Sequence, residues 1–132
     1  MEGLREIDLL YVEDDDETRE FVATILKRRV RTIYTAENGQ KGLELYNIHK
    51  VPMIITDIKM PIMNGVEMIK HIKPDKGNGP IVLVTTAHKE HELHSTLADV
   101  HLFKPLDINT LLEAMQSLLA SRKKLQTYAE VG

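Results

Sequence analysis

Short apolar runs recur along the chain, each closed by polar residues and followed by a stretch with helical spacing. Ile7-Asp8-Leu9-Leu10-Tyr11-Val12 stops at Glu13-Asp14-Asp15-Asp16. Thr32-Ile33-Tyr34-Thr35-Ala36, Met53-Ile54-Ile55-Thr56, Ile81-Val82-Leu83-Val84 and Val100-His101-Leu102-Phe103 repeat the theme, the last more weakly. Continuous runs of this length, bounded by turn residues, read as strands, the first, third and fourth of them buried. After the first run, Phe21, Val22, Ile25 and Leu26 fall on one helical face. Asp15 or Asp16 can cap that helix, and Lys27, Arg28 and Arg29 sit at its C-terminal end, as the dipole favours. Asn38-Gly39 opens a second helix, with Leu43, Leu45, Tyr46 and Ile48. Asn64-Gly65 opens a third, with Val66, Met68, Ile69 and Ile72. Residues 73–80 form a loop rich in Pro and Gly. A short polar helix is expected over His88 to Leu97. A last helix starts near Asp107 and carries Leu111, Leu112, Met115, Leu118 and Leu119.

Strand and helix thus alternate five times. Buried strands with helices between them imply a parallel sheet covered on both faces, an α/β doubly wound sandwich with right-handed crossovers. In such sheets the site forms beyond the C-terminal ends of the strands, at the topological switch point.

Composition narrows the chemistry more than the fold. At 132 residues the chain fits one domain with a single core, and 42% apolar with 28% charged residues is ordinary for a globular protein. A net charge of -3 offers no basic footprint for nucleic acid and no polybasic membrane patch. Cysteine is absent, which excludes disulfides, Cys-based zinc sites and thiol chemistry. No apolar run approaches the ~20 residues of a membrane span, and the acidic N-terminus is unlike a signal peptide. These features fit a cytoplasmic location.

The strand ends carry the signal. The first run ends in Glu13-Asp14, the third in Asp57, the fourth in Thr86 and the fifth in Lys104. A buried carboxylate is costly unless it is paired or bound to a cation. Three carboxylates at one sheet edge would repel one another, and a divalent cation resolves that conflict. An all-oxygen donor set suits Mg²⁺ rather than zinc. Asp57 is a candidate carboxylate nucleophile. A phosphoryl group on it would have its oxygens neutralised by the metal, the Lys104 ammonium and the Thr86 hydroxyl. Thr85 is a rival to Thr86, pointing the opposite way on the strand, and Thr86 is preferred because Ala87 follows it.

Taken in order, Val12-Glu13-Asp14-Asp15, Asp57 within IITDIKMPIMNG, Thr86-Ala87 and Lys104-Pro105 resemble the signature of the response-regulator receiver domain of two-component signalling, the CheY-like family. The likeness runs from about Ile7 to Leu119. It implies a flavodoxin-like fold with strand order 2-1-3-4-5, and a phosphoacceptor, Asp57, served by a sensor histidine kinase or a histidine phosphotransfer protein. It further implies direct Mg²⁺ ligation by Asp14, ligation through water by Glu13, and a ligand in the backbone carbonyl of Lys59. Thr86 becomes the switch hydroxyl, Lys104 the phosphate-binding lysine, and Lys104-Pro105 a cis bond. The expectation is then of a module that is not itself an enzyme, that binds neither nucleic acid nor membrane, and whose outlet is a possible downstream effector domain or protein.

Two features depart from that pattern. The interval from Thr86 to Lys104 is 18 residues by their numbers, roughly one helical turn shorter than the family's, so the fourth helix region should be shortened. Where the family usually has Tyr or Phe, three residues before Lys104, stands His101; it either alters the switch, with a pH dependence, or is a plain strand residue. His88, His91 and His94 are spaced as a solvated helix face, with a transition-metal site as the rival reading. Lys59 and His88 occupy positions that tune acyl-phosphate hydrolysis in the family. Residues 1–121 are read as the receiver domain and 122–132 as a C-terminal extension or linker. Leu111, Met115, Leu118 and Leu125 make a loose heptad-like stripe across that boundary, too short to assign a coiled coil. Two other functions compete: a phosphorylation-independent receiver-like binding module, and a divalent-metal phosphohydrolase. The latter needs a further acid/base carboxylate near Asp57, and none occurs between Asp57 and Glu67.

Overall fold

A computed structural model describes residues 2–73, 79–87 and 97–131, with side chains described for 3–73, 79–87 and 97–122. Five strands form one sheet: β1 (Asp8–Val12), β2 (Thr32–Ala36), β3 (Met53–Asp57), β4 (Ile81–Thr86) and β5 (Val100–Phe103). Every pairing is parallel and the order is β2-β1-β3-β4-β5, as the resemblance implies. The helices are α1 (Glu2–Arg5), α2 (Asp16–Leu26), α3 (Gly39–His49), α4 (Gly65–Ile72) and α5 (Ile108–Val131).

Side chains alternate across the three central strands, and that alternation builds two cores. Leu9, Tyr11, Met53, Ile55, Ile81 and Leu83 meet Val22 and Leu26 of α2 and Leu111, Leu112 and Met115 of α5. Leu10, Val12, Ile54, Val82 and Val84 meet Met68 and Ile69 of α4, with Leu43 and Tyr46 of α3 packed beside them. Burial on both faces explains why these strands read as unbroken apolar runs.

Helix entries follow the expected caps. Asp15 caps α2 by accepting from the Thr18 amide, and Asn38 caps α3 by accepting from the Lys41 amide. Asn64 opens α4 in a capping box with Glu67.

The helical faces are narrower than the spacing predicts. On α2 only Val22 and Leu26 are buried, while Phe21 is 64% exposed and Ile25 partly so. On α3, Ile48 is exposed, and Gly39 and Gly42 are the buried positions. A Cβ at Gly42 would press on Met68 and Val12, so glycine lets α3 approach the sheet at that point. Lys27, Arg28 and Arg29 lie just beyond α2 rather than in its last turn, with Lys27 as the C-cap. The pattern of apolar runs does not predict the N-terminal α1, whose Leu4 is buried in the same core as Leu119 of α5. α5 continues without interruption through the expected boundary at residues 121–122. The expected helix at residues 88–97 and its shortening, with His88, His91 and His94, fall almost wholly outside the described residues.

Lys73, read in sequence as a loop residue, is fully buried. Its Nζ donates to the Pro80 carbonyl at 2.8 Å and lies 3.5 Å from Asp99. Asp99 in turn accepts from the Val82 amide at 2.8 Å, tying the segments before β4 and β5 together.

Candidate functional site

Parallel register brings the polar strand ends together. Val12 of β1 pairs with Thr56 of β3, so Glu13 and Asp57 emerge side by side. Asp57 is level with Thr85 of β4, and Thr86 is level with Phe103 of β5, immediately before Lys104. The Lys104 amide donates to the Thr86 carbonyl at 2.8 Å, which carries the β4–β5 ladder into the site. The Lys104-Pro105 peptide is cis.

Lys104 reaches across the sheet edge. Its Nζ donates to Glu13 Oε1 at 2.7 Å and to Asp57 Oδ2 at 3.0 Å. Asp57 Oδ1 accepts from the Ile58 amide at 2.7 Å, and Glu13 Oε2 from the Asp15 amide at 3.1 Å. Glu13 is only 1% exposed, and its burial raises its pKa above the usual carboxylate range despite the Lys104 ion pair. Burial opposes the charge on Lys104, yet its bonds to Glu13 and Asp57 outweigh that and raise its pKa. Tyr11, beneath the two carboxylates, has its phenol pKa raised by burial and by their charge.

Asp14 is the exposed member of the group. One carboxylate oxygen from each of Glu13, Asp14 and Asp57 lies within 4.8 Å of the others. Of the remaining acids in the run, Asp15 is held by the Thr18 amide and hydroxyl at 2.8 and 2.6 Å. Asp16 is held by Arg19 at 2.6 Å. Lys59 is exposed in the loop two residues past Asp57, Thr86 is buried at the end of β4, and His101 is half-buried in β5 opposite Val84, away from the carboxylates in register.

The loop after Asp57 is tightly held. Gly65 passes so close that a Cβ there would collide with the Asp57 carbonyl oxygen, and its amide donates to the Ile58 carbonyl at 2.8 Å. Met63 donates to the Pro61 carbonyl at 2.8 Å around Ile62, which has φ 70° and is 81% exposed. That is a γ-turn on a β-branched residue, a strained conformation. The Gly39 amide then fixes the Met63 carbonyl at 2.8 Å.

This register and this set of strand-end residues are those the sequence resemblance requires. The model of the response regulator receiver domain matches residues 9–116.

The chain belongs to the response-regulator receiver family.

Chemotaxis protein CheY of Halobacterium salinarum is 26% identical over 116 residues, covering 86% of this chain and 97% of its own. The cell cycle transcriptional regulator CtrA of Caulobacter vibrioides is 24% identical over 118 residues, covering 87% of this chain and 51% of its own; the chain spans about half the length of that relative. Among solved structures, a CheY-like receiver domain protein from Methanospirillum hungatei superposes with a TM-score of 0.80 at 23% identity, over 90% of this chain and 98% of its own, and so shares the fold. The receiver is thus a CheY-like, flavodoxin-like domain of the two-component signalling class.

Sequence reasoning missed Arg19, whose Nη1 donates to the Glu13 carbonyl at 2.8 Å while its Nη2 holds Asp16. Its spacing of three from Asp16 was the available signal. It also missed the Ile58 amide, since a backbone donor leaves no mark in a sequence.

Proposed function

We propose that this receiver is the phosphoacceptor of a two-component relay. Asp57 takes a phosphoryl group from a phosphohistidine on a sensor histidine kinase or histidine phosphotransfer protein, and the modified domain changes its affinity for an effector domain or protein. The observation that carries this reading is the Asp57 carboxylate bonded to Lys104 within an open cluster of three acids.

In the transfer, an Asp57 oxygen forms the new bond to phosphorus and the histidine nitrogen leaves with its electron pair. The chain supplies position and charge. The Ile58 amide and Lys104 orient the carboxylate from its two oxygens. Lys104 is already placed to pair with an incoming phosphoryl oxygen, and Thr86 ends the neighbouring strand as its expected hydroxyl partner. The donor set fits a hard divalent cation, all oxygen with one exposed carboxylate for entry. Asp14 and Asp57 would hold Mg²⁺ directly, Glu13 through water, and the Lys59 carbonyl as a further ligand. Mg²⁺, when bound, supplies neutralising charge for the phosphoryl oxygens.

Lys104 is bonded to both Asp57 and the end of β4, so new charge on Asp57 redistributes contacts at the β4–β5 end. We place the switching face there, around His101 and the exposed Phe103, as a shift between existing conformations. The phosphohydrolase alternative loses ground because Glu67, the first acid after Asp57, is engaged in the α4 capping box. The chain would act as substrate and carrier in the cytoplasm rather than as an enzyme.

A groove of about 460 Å³ lined by Phe21, Val22, Lys104, Pro105 and Leu106 runs down from the site, and we take it as the seat of the donor protein. Transfer of label from a phosphohistidine protein tests both points. Wild type should take up label, Asp57→Asn should not, and Phe21→Asp should slow uptake from the protein donor on the order of tenfold, the loss of an aromatic anchor. Equal slowing of Phe21→Asp with acetyl phosphate as donor would remove the groove from the account. Undiminished labelling of Asp57→Asn would remove the acceptor.

A further inference from the structure

Four consecutive acids, Glu13 to Asp16, lead into the first turn of α2, and Asp57 adds a fifth carboxylate nearby. Left to repulsion alone, such a run has no reason to present a particular pair towards Asp57. The structure sorts it. Asp15 is consumed by the helix cap. The guanidinium of Arg19 makes one bond from each terminal nitrogen: Nη1 to the Glu13 carbonyl at 2.8 Å and Nη2 to Asp16 Oδ1 at 2.6 Å. The first bond pins the backbone from which the Glu13 and Asp14 side chains depart. The second turns Asp16 aside, and Asp16 is otherwise 83% exposed. Because α2 is anchored in the core by Val22 and Leu26, Arg19 transmits that anchorage to the acidic loop.

We infer that Arg19 is a positioning residue for the divalent-cation site, holding the Glu13–Asp16 loop so that Glu13 and Asp14, and not Asp16, converge with Asp57. This rests on the reading of the acidic cluster as a cation site. An isolated exposed Arg–Asp pair would contribute little; the bond to the Glu13 carbonyl gives Arg19 its role. Partners that orient metal ligands without touching the metal typically matter about 10–100-fold in affinity. The planar fork is needed for two divergent bonds, so lysine is not a substitute.

The inference separates from simple electrostatics by sign. Removing a positive charge beside a cation site should tighten cation binding if Arg19 acts only through its charge. If it acts by position, binding weakens instead, and a lysine does not rescue it.

The test is calorimetric titration of the whole chain with Mg²⁺ alone, with thermal unfolding of each variant recorded beside it. Wild type should bind one ion and Asp14→Asn should bind none. Arg19→Gln and Arg19→Lys should each weaken Mg²⁺ about tenfold, and Asp16→Asn, which leaves the Glu13 bond in place, should weaken it less. Unchanged or tighter binding in Arg19→Gln, or full rescue by Arg19→Lys, overturns the positioning role while leaving the cation site standing. A fall in unfolding temperature with unaltered Mg²⁺ affinity reduces Arg19 to a structural residue and equally overturns it. Absence of Mg²⁺ binding in folded wild type overturns the cation site and the role of Arg19 together.

Discussion

Ile62 is held at φ 70° with its side chain in solvent, so it gains little from burial to offset its backbone. The left-handed region costs a residue of this kind about 1–2 kcal/mol, and asparagine tolerates it better. Ile62→Asn should therefore stabilise the protein by about 0.5–1 kcal/mol. Chemical denaturation showing a loss instead would mean that Ile62 makes contacts that outweigh its strain. Lys104 makes the opposite case. Glu13 titrates above its ordinary value in the folded state because it is buried. Its contribution to stability is therefore complete below its unfolded pKa and lost as pH rises through the folded one. Lys104 limits that loss. In Lys104→Met the stability deficit should be about 2 kcal/mol near pH 7, below the ~3–5 kcal/mol of a fully buried pair because Lys104 is partly exposed. The deficit should shrink as pH falls and Glu13 takes up its proton. A deficit independent of pH between 4 and 8 would contradict the pairing. At this scale Glu13, Asp14, Asp57, Thr86 and Lys104 could be read from the chain because they close apolar runs. Arg19 and the γ-turn at Ile62 could not, because nothing local distinguishes them from a surface arginine and a core isoleucine.

At the scale of elements, the central strands were legible because burial on both faces leaves an unbroken apolar run, as in Met53 to Ile55, whereas the edge strands β2 and β5 are only partly buried and read more weakly. The helices were less so. Helical spacing identifies a face but not its width, and Phe21 and Ile48 lie on the predicted faces yet face solvent. Lys73 shows the reverse failure. A lysine at the entry to a loop rich in Pro and Gly reads as solvated, but the Pro80 carbonyl across that loop and Asp99 draw it inside, and neither a backbone acceptor nor an acid 26 positions on marks the local pattern. Lys73→Met should cost about 2–3 kcal/mol, since it leaves Pro80 and Asp99 without that donor. Urea denaturation checks this. Stability equal to wild type would show that hydrophobic filling compensates the lost pairing. Cation binding should be unaffected, because Lys73 precedes β4 at the opposite end of the sheet from Asp57.

For the whole molecule, parallel connectivity does most of the work. Five strands in the order β2-β1-β3-β4-β5 deliver their C-terminal ends to one edge, so residues as far apart as Glu13, Asp57 and Lys104 meet there. α5 spans Ile108 to Val131 as one helix and so carries on past residue 122. Among the described residues no helix is long and apolar enough to cross a membrane. The proposed function requires that Asp57 be modified with the help of its acidic neighbours. The direct measurement is the intact mass of the chain after incubation with acetyl phosphate, with and without Mg²⁺, beside Asp57→Asn. One phosphoryl group added only when Mg²⁺ is present, and never to the variant, is the predicted result. An unmodified, folded wild type under every donor tried, or modification that persists in Asp57→Asn, would contradict it.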